Sequence, residues 1–560
     1  MFAPTPKQRE IRDHPAFDLL VIAPAGCGKT EALSLRIQGL LERKAVVAPQ
    51  KILVTTFSNR ARDNIKERLK AYLPPAVMRD RVSIANFHGL AARLIRAHAN
   101  VLGLEPDLTL PESDWVTEQL RSRGTSWDEQ GQVKEALQTT KQQALTDDEV
   151  EAELERIGNA TALDIERQRR SENRLTYDDL PRLAELILRN DAVADLYRAH
   201  FGGVVVDEFQ DLTPQQLRIV NAIGRGRTTF AGDLAQGIYG FAGAKPADVD
   251  RSIRGECSTV IEFSESHRSS PAVLEMVNSL VSLTSGQTLT AADPGSWPSG
   301  GLAGSTVHQT AEVEAAWILK VARAILSHAD SQRIGVIART GPRRRFVDDA
   351  FARSDVPHFR WDDGVLDTDV AKLIKAMLAR FDISKYVATS NKVEFLRTAV
   401  GVETIADVDI LKGTVDALGW VHDLLNSSIS PQDIRSRIKI GDASTLITSA
   451  GVHLLSGHAG KGQQFDWVFV VGVEEDFIPF SMATTPAEIT EEARVLSVMI
   501  SRARHGVILC RSTSVPTNAG HPRTRTASRF LTQIAASAPL DTAAIVAWFK
   551  AADWDEIRAR

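Results

Sequence analysis

Ala23-Pro24-Ala25-Gly26-Cys27-Gly28-Lys29-Thr30 follows the apolar run Leu19-Leu20-Val21-Ile22 and precedes the helical stretch Glu31 to Leu41. A strand, a loop of small residues and a helix opening on Lys-Thr make a phosphate cradle. Loop N–H groups and the positive end of the helix face the β- and γ-phosphates, Lys29 adds a point charge, and the Thr30 hydroxyl is placed for Mg²⁺. Ala23 stands where such loops usually begin with glycine. That is compatible with the cradle if Ala23 keeps φ below zero, because only positive φ demands glycine. The octet implies a bound nucleoside triphosphate, and the rest of the chain has to say what the triphosphate is used for.

Outward from the loop, apolar runs alternate with amphipathic stretches. Lys51 to Phe57 reads as a second buried strand, followed after Ser58-Asn59 by a helix from Ala61 to Tyr72; Val82 to His88 repeats the pattern. Strand, helix, strand in succession signals a parallel α/β sheet with its ligands at the C-terminal strand ends. From Leu104 to Asn173 the strand signal gives way to polar helical sequence. Leu120, Val133, Leu137, Leu145, Val150 and Leu154 recur there at helical intervals, so the segment reads as a helical insertion. The sheet resumes at Val204-Val205-Val206, leading into Asp207-Glu208-Phe209-Gln210-Asp211. Carboxylates at that position suit a phosphate site: Asp207 to hold Mg²⁺, Glu208 to polarise an attacking water. Asp211 also fits a capping role before the helix at Pro214.

Further strands are expected at Thr228–Ala231, Val260–Phe263, Arg333–Ala338, Val452–Ser456, Trp467–Val473 and Val507–Cys510, with a helix from Glu491 to Arg504. The Pro-, Gly- and Ser-rich stretch Ala292 to Ser305 reads as a loop. The basic turn Arg339 to Arg345 fits either a phosphate contact or a solvated surface. Trp361 to Thr445 loses the strand signal again and reads as a second, mostly helical insertion.

With 560 residues, 43% hydrophobic and 24% charged, the composition is that of a multidomain globular protein. A net charge of −5 excludes a histone-like polycation but not a locally basic groove. No apolar run has the length of a bilayer span and Met1 to Glu10 lacks a signal-peptide layout, which makes a cytoplasmic location the expectation. Cys27, Cys257 and Cys510 show no metal spacing. Cys27 reads as a small-residue substitution, although a thiol beside Lys29 and a helix N-terminus could also ionise and sense redox state.

Taken in order, these segments resemble the UvrD/Rep family of superfamily 1 DNA helicases along nearly the whole chain. Thr5-Pro6-Lys7-Gln8 resembles the adenine-reading motif, Leu53 to Ala61 and Asn86 to Leu90 the strand-contacting segments, and Asp207 to Asp211 the Walker B motif. Gly232-Asp233-Leu234-Ala235-Gln236-Gly237-Ile238-Tyr239 is similar to the coupling motif. Glu265-Ser266-His267-Arg268-Ser269 is similar to the motif that brings an arginine to the γ-phosphate. Gly457-His458-Ala459-Gly460-Lys461-Gly462, continuing to Gly472-Val473-Glu474-Glu475, and Glu491 to Ala503 resemble the last two motifs, and Ser528 to Leu531 the family's C-terminal end.

The resemblance implies two RecA-like lobes clamping ATP and Mg²⁺. The first would run over 1–103 and 174–260 with a helical insertion at 104–173. The second would run over 261–360 and 446–535 with a reduced insertion at 361–445, before a tail at 536–560. Lys29, Glu208, Gln236, Arg268 and Arg502 form the implied catalytic set, with Thr30 and Asp207 on the metal. Gln8, Ala25, Gly26, Cys27, Gly28, His267, Gly462 and Glu474 join Lys29, Thr30, Arg268 and Arg502 around the nucleotide. Phe57, Asn59, Phe87, His88, Tyr239, Phe241 and His458 are the implied DNA side. The three phenylalanines are core residues or base-stacking platforms, since bases stack on aromatic faces with little sequence preference. His88 reads as a hydrogen-bonding residue beside DNA rather than a metal ligand.

Three positions depart from the family pattern. His267 replaces a tyrosine beside the adenine, which implies thinner stacking. Ala242 replaces an arginine, and Gln463-Gln464 a Leu-Glu pair. The expected activity is ATP-driven translocation or unwinding, 3′ to 5′, on single-stranded DNA or a duplex with a single-stranded tail, in repair, recombination or phage defence. The alternative is a DNA-stimulated ATPase that serves a nuclease or repair partner and unwinds little itself.

Overall fold

The computed structural model describes residues 4–56, 59–104, 115–240, 243–361, 365–366, 368–389, 391–402, 405, 411, 414, 417–419, 421–422, 424–425, 430–440, 449–458, 460–517 and 521–560. Phe57, Phe241 and Ala242 lie outside them, and the backbone alone is described at Asn59.

Six strands form the first sheet: β1 (Leu19–Ile22), β2 (Lys51–Thr56), β3 (Val82–Asn86), β4 (Phe201–Asp207), β5 (Thr228–Gly232) and β6 (Thr259–Glu262). Their order is β3-β2-β4-β5-β1-β6, and every pairing is parallel. β1 and β4 are buried along their whole length, which is why they read as continuous apolar runs rather than alternating ones. One face packs Leu20, Val204 and Val206 with the helices Phe87–His98 and Asp179–Leu188. The other packs Val21, Val54 and Val205 with the helix Lys29–Glu42. Because all six strands point one way, the turns after β1, β4 and β5 open at the same edge.

β7 (Glu265–Ser266) pairs with β8 (Thr290–Ala291) in the connection to a second sheet. That sheet holds β9 (Leu302–Thr310), β10 (Arg333–Ala338) and β11 (His358–Arg360). After a small parallel pair, β12 (Val365–Leu366) with β13 (Lys439–Ile440), it continues with β14 (Gly451–Ser456), β15 (Phe465–Val471), β16 (Ala503–Pro516) and β17 (Pro522–Thr524). The order is β11-β14-β10-β15-β16-β17 with β9 also on β16, and only the β16–β17 pairing is antiparallel. Both faces are covered again. The architecture is that of two RecA-like parallel-sheet lobes.

Several expectations change. The stretch Ala292 to Ser305 is not loop throughout, since β9 begins at Leu302. Gly304 is required there by packing: a Cβ on it would lie 2.6 Å from the Leu540 carbonyl oxygen and 2.8 Å from Ile545. The helix read as Glu491 to Arg504 is Pro486–Ile500, opened by a capping box between Thr485 and Glu488, and β16 starts at Ala503. Arg339 to Arg345 is not a solvated turn, because Gly341–Ala352 is helical and Arg343 and Arg344 are buried. Arg343 sits between Glu314 and Glu474, Arg344 on Asp348, and Arg339 on Glu492. Their partners come largely from distant segments, which a local reading of charge does not show.

The helices from Trp115 to Ser171 share a core containing Leu120, Val133, Leu137, Val150 and Leu154, with Leu145 packed against it. Lys141 pairs with Glu166 inside that unit (2.7 Å) and ties it to the first lobe through Asp179 (2.9 Å). Described helices between Thr368 and Arg437 surround a separate core that includes Ile374, Tyr386 and Leu396. No helix of the described residues is long and apolar enough to cross a membrane.

Candidate active site

The turn after β1 has the geometry the octet requires. Gly26 and Gly28 hold φ of +85° and +82°, and Gly28 caps the helix Lys29–Glu42 in a left-handed conformation. Side chains are excluded at both. A Cβ at Gly26 would lie 2.6 Å from Arg268 Cβ and from Ser266 Oγ, and one at Gly28 would lie 2.7 Å from Gln8 Nε2. Ala23 is not among the positive-φ residues, and its N–H donates to the Gly232 carbonyl at 2.9 Å, extending the strand pairing. Alanine is therefore sufficient there. Burial pushes the Cys27 thiol up to about 12, so it stays protonated at neutral pH and the redox reading loses its basis.

A cleft of about 910 Å³ runs from this turn to the second lobe. Ala25, Gly26, Gly28, Lys29, Thr30, Asp207, Glu208 and Gln236 line one side. His267, Arg268, Gly462 and Arg502 complete it. Lys29 Nζ lies 3.2 Å from Asp207 Oδ1 and also contacts Glu208 Oε2. Burial works against the lysine's charge, but the two carboxylates outweigh it and raise its pKa. Glu208 ends up below the usual carboxylate range, because Lys29 and Lys461 outweigh burial. For Asp207, burial wins and the shift is upward. One lysine facing two carboxylates cannot fully compensate both. A Mg²⁺ ion arriving with a nucleotide fits this donor set, a hydroxyl and a carboxylate at the mouth of a phosphate cradle, since that ion keeps several waters and binds phosphate oxygens. Among the described residues no group of three or more His, Cys, Asp or Glu forms a metal cage.

Glu208 adopts φ +58°, ψ +51°, a left-handed conformation unusual for a glutamate. From it a relay of hydrogen bonds crosses to the next strand. Gln210 Nε2 donates to Glu208 Oε2 at 2.6 Å, the Asp233 N–H donates to Gln210 Oε1 at 3.0 Å, and Gln236 Nε2 donates to Asp233 Oδ2 at 2.9 Å. Gln210 and Asp233, quoted in the sequence without roles, thus connect Glu208 to Gln236. Their signal was faint: a glutamine two residues after the acid, and an aspartate closing β5.

Arg268 and Arg502 reach the cleft differently. Arg268 belongs to the connection between the sheets. Its neighbour His267 donates its N–H to the Gly26 carbonyl at 3.0 Å, while Ser269 Oγ donates to the Ala503 carbonyl at 2.7 Å and the Ser270 N–H to the Arg504 carbonyl at 2.8 Å. The segment is pinned to both lobes. Burial lowers the Arg268 pKa to about 10, which leaves it charged at neutral pH. Arg502 lies in the turn between helix and β16, with Nε on the Val498 carbonyl and Nη2 on Ser501 Oγ. Arg504 and Arg333, which the sequence reading left aside, also line the cleft and share Asp466.

The other implied residues scatter. Gln8 caps its own helix, accepting from the Thr5 N–H at 2.9 Å, and reaches the Gly28 carbonyl at 3.4 Å; it does not line the cleft. Glu474 is fully buried and accepts from Arg343 at 2.7 Å and from the Ser512 N–H at 2.6 Å. That is an internal ion pair and not a wall of the nucleotide site. Phe87 is a core side chain, 5% exposed, packed with Leu90 and Phe209. His88 sits edge-on against Tyr177 at 5.8 Å. Tyr239 lines the cleft, with His458 6.4 Å from its ring. Burial and Arg339 push His458 down to about 4, so it is neutral.

Two family profiles match the chain: the UvrD/REP helicase N-terminal domain over residues 4–253 and the UvrD-like helicase C-terminal domain over residues 424–513. The chain is similar to the ATP-dependent DNA helicase UvrD2 of Mycobacterium tuberculosis, 26% identical over 580 residues that cover 94% of this chain and 81% of the relative. It is also similar to the ATP-dependent DNA helicase PcrA of Staphylococcus aureus, 23% identical over 632 residues, with 92% and 84% covered.

Proposed function

Because this chain belongs to the UvrD/REP family of superfamily 1 DNA helicases and is a DNA-dependent ATPase of that kind, we propose that it couples ATP hydrolysis to 3′ to 5′ movement along single-stranded DNA, entering duplexes by a single-stranded tail. The observation that carries this reading is the cleft itself, where Lys29, Thr30, Asp207 and Glu208 face Arg268 and Arg502.

Lys29 and the two loop glycines hold the β- and γ-phosphates. Thr30 and Asp207 would hold an accompanying Mg²⁺ ion, which would offset charge on the phosphates. Glu208, placed by Gln210, orients the attacking water and draws off its proton. Arg268 and Arg502 stabilise the charge that develops on the transferred phosphoryl group, an effect available only while the cleft is closed, so hydrolysis and lobe movement are linked. Gln236 reports the state of the cleft toward Tyr239, where bases stack.

Steady-state phosphate release with and without oligo(dT), beside a Lys29→Ala control, tests the reading. The expected result is strong stimulation by the strand, with kcat reduced by at least about 10²-fold in the variant. Hydrolysis that ignores added strand would overturn it.

A further inference from the structure

Asp466, near the start of β15, is a buried carboxylate shared by two arginines of the cleft wall. It accepts from the Arg333 N–H at 2.8 Å and from Arg333 Nη2 at 3.2 Å, and from Arg504 Nη1 at 2.9 Å. Burial works against its charge, but Arg333 and Arg504 outweigh burial and hold the carboxyl below its usual range. One carboxylate compensates only one of the two cations, so this part of the wall keeps an excess positive charge.

Arg504 is also held from a second side, where its Nη2 donates to the Arg560 carbonyl at 2.9 Å. Arg560 follows the helices Thr542–Ala551 and Trp554–Ala559. Its own guanidinium lies 3.5 Å from the centroid of the Trp297 ring and donates to the Ser296 carbonyl at 2.7 Å. Ile545, Phe549 and Ile557 anchor the two helices in a core they share with Trp467. Trp467 stacks on His505, the neighbour of Arg504, at 5.7 Å, and His505 meets Trp297 edge-on at 5.4 Å. A packed path therefore leads from these helices to the cleft.

Arg504 lines that cleft together with Arg268, and the Ser270 N–H donates to the Arg504 carbonyl, which joins the two segments directly. Burial lowers the Arg268 pKa, and the charge of Arg504 adds to that shift. Arg268 Nη1 is buried and has no hydrogen-bond partner among the described residues. Like charges on one wall, one of them with an unsatisfied donor, make a cradle that an anion completes.

Building on the ATP-driven motor reading, we propose that Arg504 is a further phosphate contact of the bound nucleotide, and that the helices at 542–559 are a brace that positions it through Arg560. The guanidinium fork suits this arrangement: one nitrogen rests on Asp466, another on the Arg560 carbonyl, and spare N–H groups are left for a phosphate oxygen. Asp466 and Arg560 hold the fork before a nucleotide arrives. Arg504 therefore contributes to ground-state binding, whereas Arg268 acts on developing charge. Arg560 does not touch the nucleotide.

The test compares wild type with Arg504→Gln, Arg504→Lys, Arg560→Ala and the double variant Arg504→Gln/Arg560→Ala. The dissociation constant of a fluorescent non-hydrolysable ATP analogue is measured beside kcat and KM for ATP. Arg504→Gln raises the dissociation constant by about tenfold or more, and its loss of kcat/KM lies in KM. Arg560→Ala raises it by about threefold, and adding that substitution to Arg504→Gln has no further effect, because it acts through the arginine already removed. Arg504→Lys keeps the charge but cannot reach Asp466 and the Arg560 carbonyl together, so it behaves as Arg560→Ala does and serves if Arg504→Gln does not fold. A dissociation constant within about twofold of wild type in both Arg504→Gln and Arg504→Lys, or a loss confined to kcat, overturns the phosphate contact. Full additivity in the double variant overturns the brace. A wild type that hydrolyses no ATP instead overturns the motor reading, and this role with it.

Discussion

At the end of β4, Glu208 is held at φ +58° while the residues of the strand before it are fully extended and buried. A left-handed glutamate costs about 1–3 kcal/mol, and such strain persists where the surroundings over-determine it. Here the surroundings are Lys29 and Gln210, both bound to its carboxylate. Charge burial at single residues also sets the protein's response to pH. His505, 2% exposed, is pushed down to about 4 by burial. Its folded pKa lies below the unfolded value of about 6.5, so the unfolded chain takes up a proton that the folded chain refuses as pH falls. The stability it contributes is complete above about 6.5 and is lost toward 4. His505→Gln should remove this slope: urea denaturation at pH 7 and pH 5 should show wild type losing about 2 kcal/mol more than the variant. Glu314, raised to about 7 by burial, acts in the opposite direction, but it is present in both proteins and cancels in the comparison. Equal slopes would refute the assignment.

Among the elements, the helix Trp127–Lys141 shows how a polar insertion is held to a sheet domain. Its last residue, Lys141, is 1% exposed and pairs with Glu166 and Asp179, which also bind Arg169 and Arg182. The Lys141 carbonyl accepts from Gln215 Nε2 at 3.0 Å, on the helix that follows the Asp207–Asp211 turn. Loss of one partner from a buried ion network leaves uncompensated charge and typically costs about 3–5 kcal/mol. Lys141→Met should therefore lower the unfolding free energy extrapolated from urea denaturation by an amount in that range. An exposed-pair control, Arg251→Met, breaks only a surface contact with Asp248 and should shift it by less than about 1 kcal/mol. Equal effects of the two substitutions would contradict the network's role. The polar, helical character of this segment was legible in the sequence. Its buried charges were not, because their partners sit 25 to 38 positions away or on neighbouring helices and only folding brings them together.

On the scale of the whole molecule, several contacts among the described residues join the lobes. The connection Glu265–Ser270 is pinned to the phosphate loop and to β16, Lys461 bridges to Asp211, and the Gly240 N–H donates to Glu491 Oε1 at 2.9 Å. Arg268 is carried by the first of these, so its position depends on both lobes. If the arginines act on developing charge rather than on ground-state binding, Arg268→Ala should reduce kcat by roughly 10²–10³-fold while a fluorescent ADP analogue binds within a few-fold of wild type. Equal loss of binding and turnover would assign Arg268 to ground-state binding instead.

By itself the sequence determined the chemistry that depends on short, contiguous patterns. The strand–loop–helix at Leu19–Glu42, the acids closing β4, and the alternation that makes parallel sheets are all local, because glycine φ angles, helix N-termini and apolar runs act over a few residues. Tertiary structure decided which of the named residues share a cleft. It placed Lys29, Glu208, Arg268 and Arg502 together, moved Phe87 into the core and Glu474 into an internal ion pair, and turned β9 from apparent loop into a strand. It also brought Lys461 onto Asp211, 250 positions away. Ion pairs and packing between distant segments have no signature at any single position, since each partner alone looks like an ordinary polar or apolar residue, and only the arrangement of the two sheets makes them neighbours.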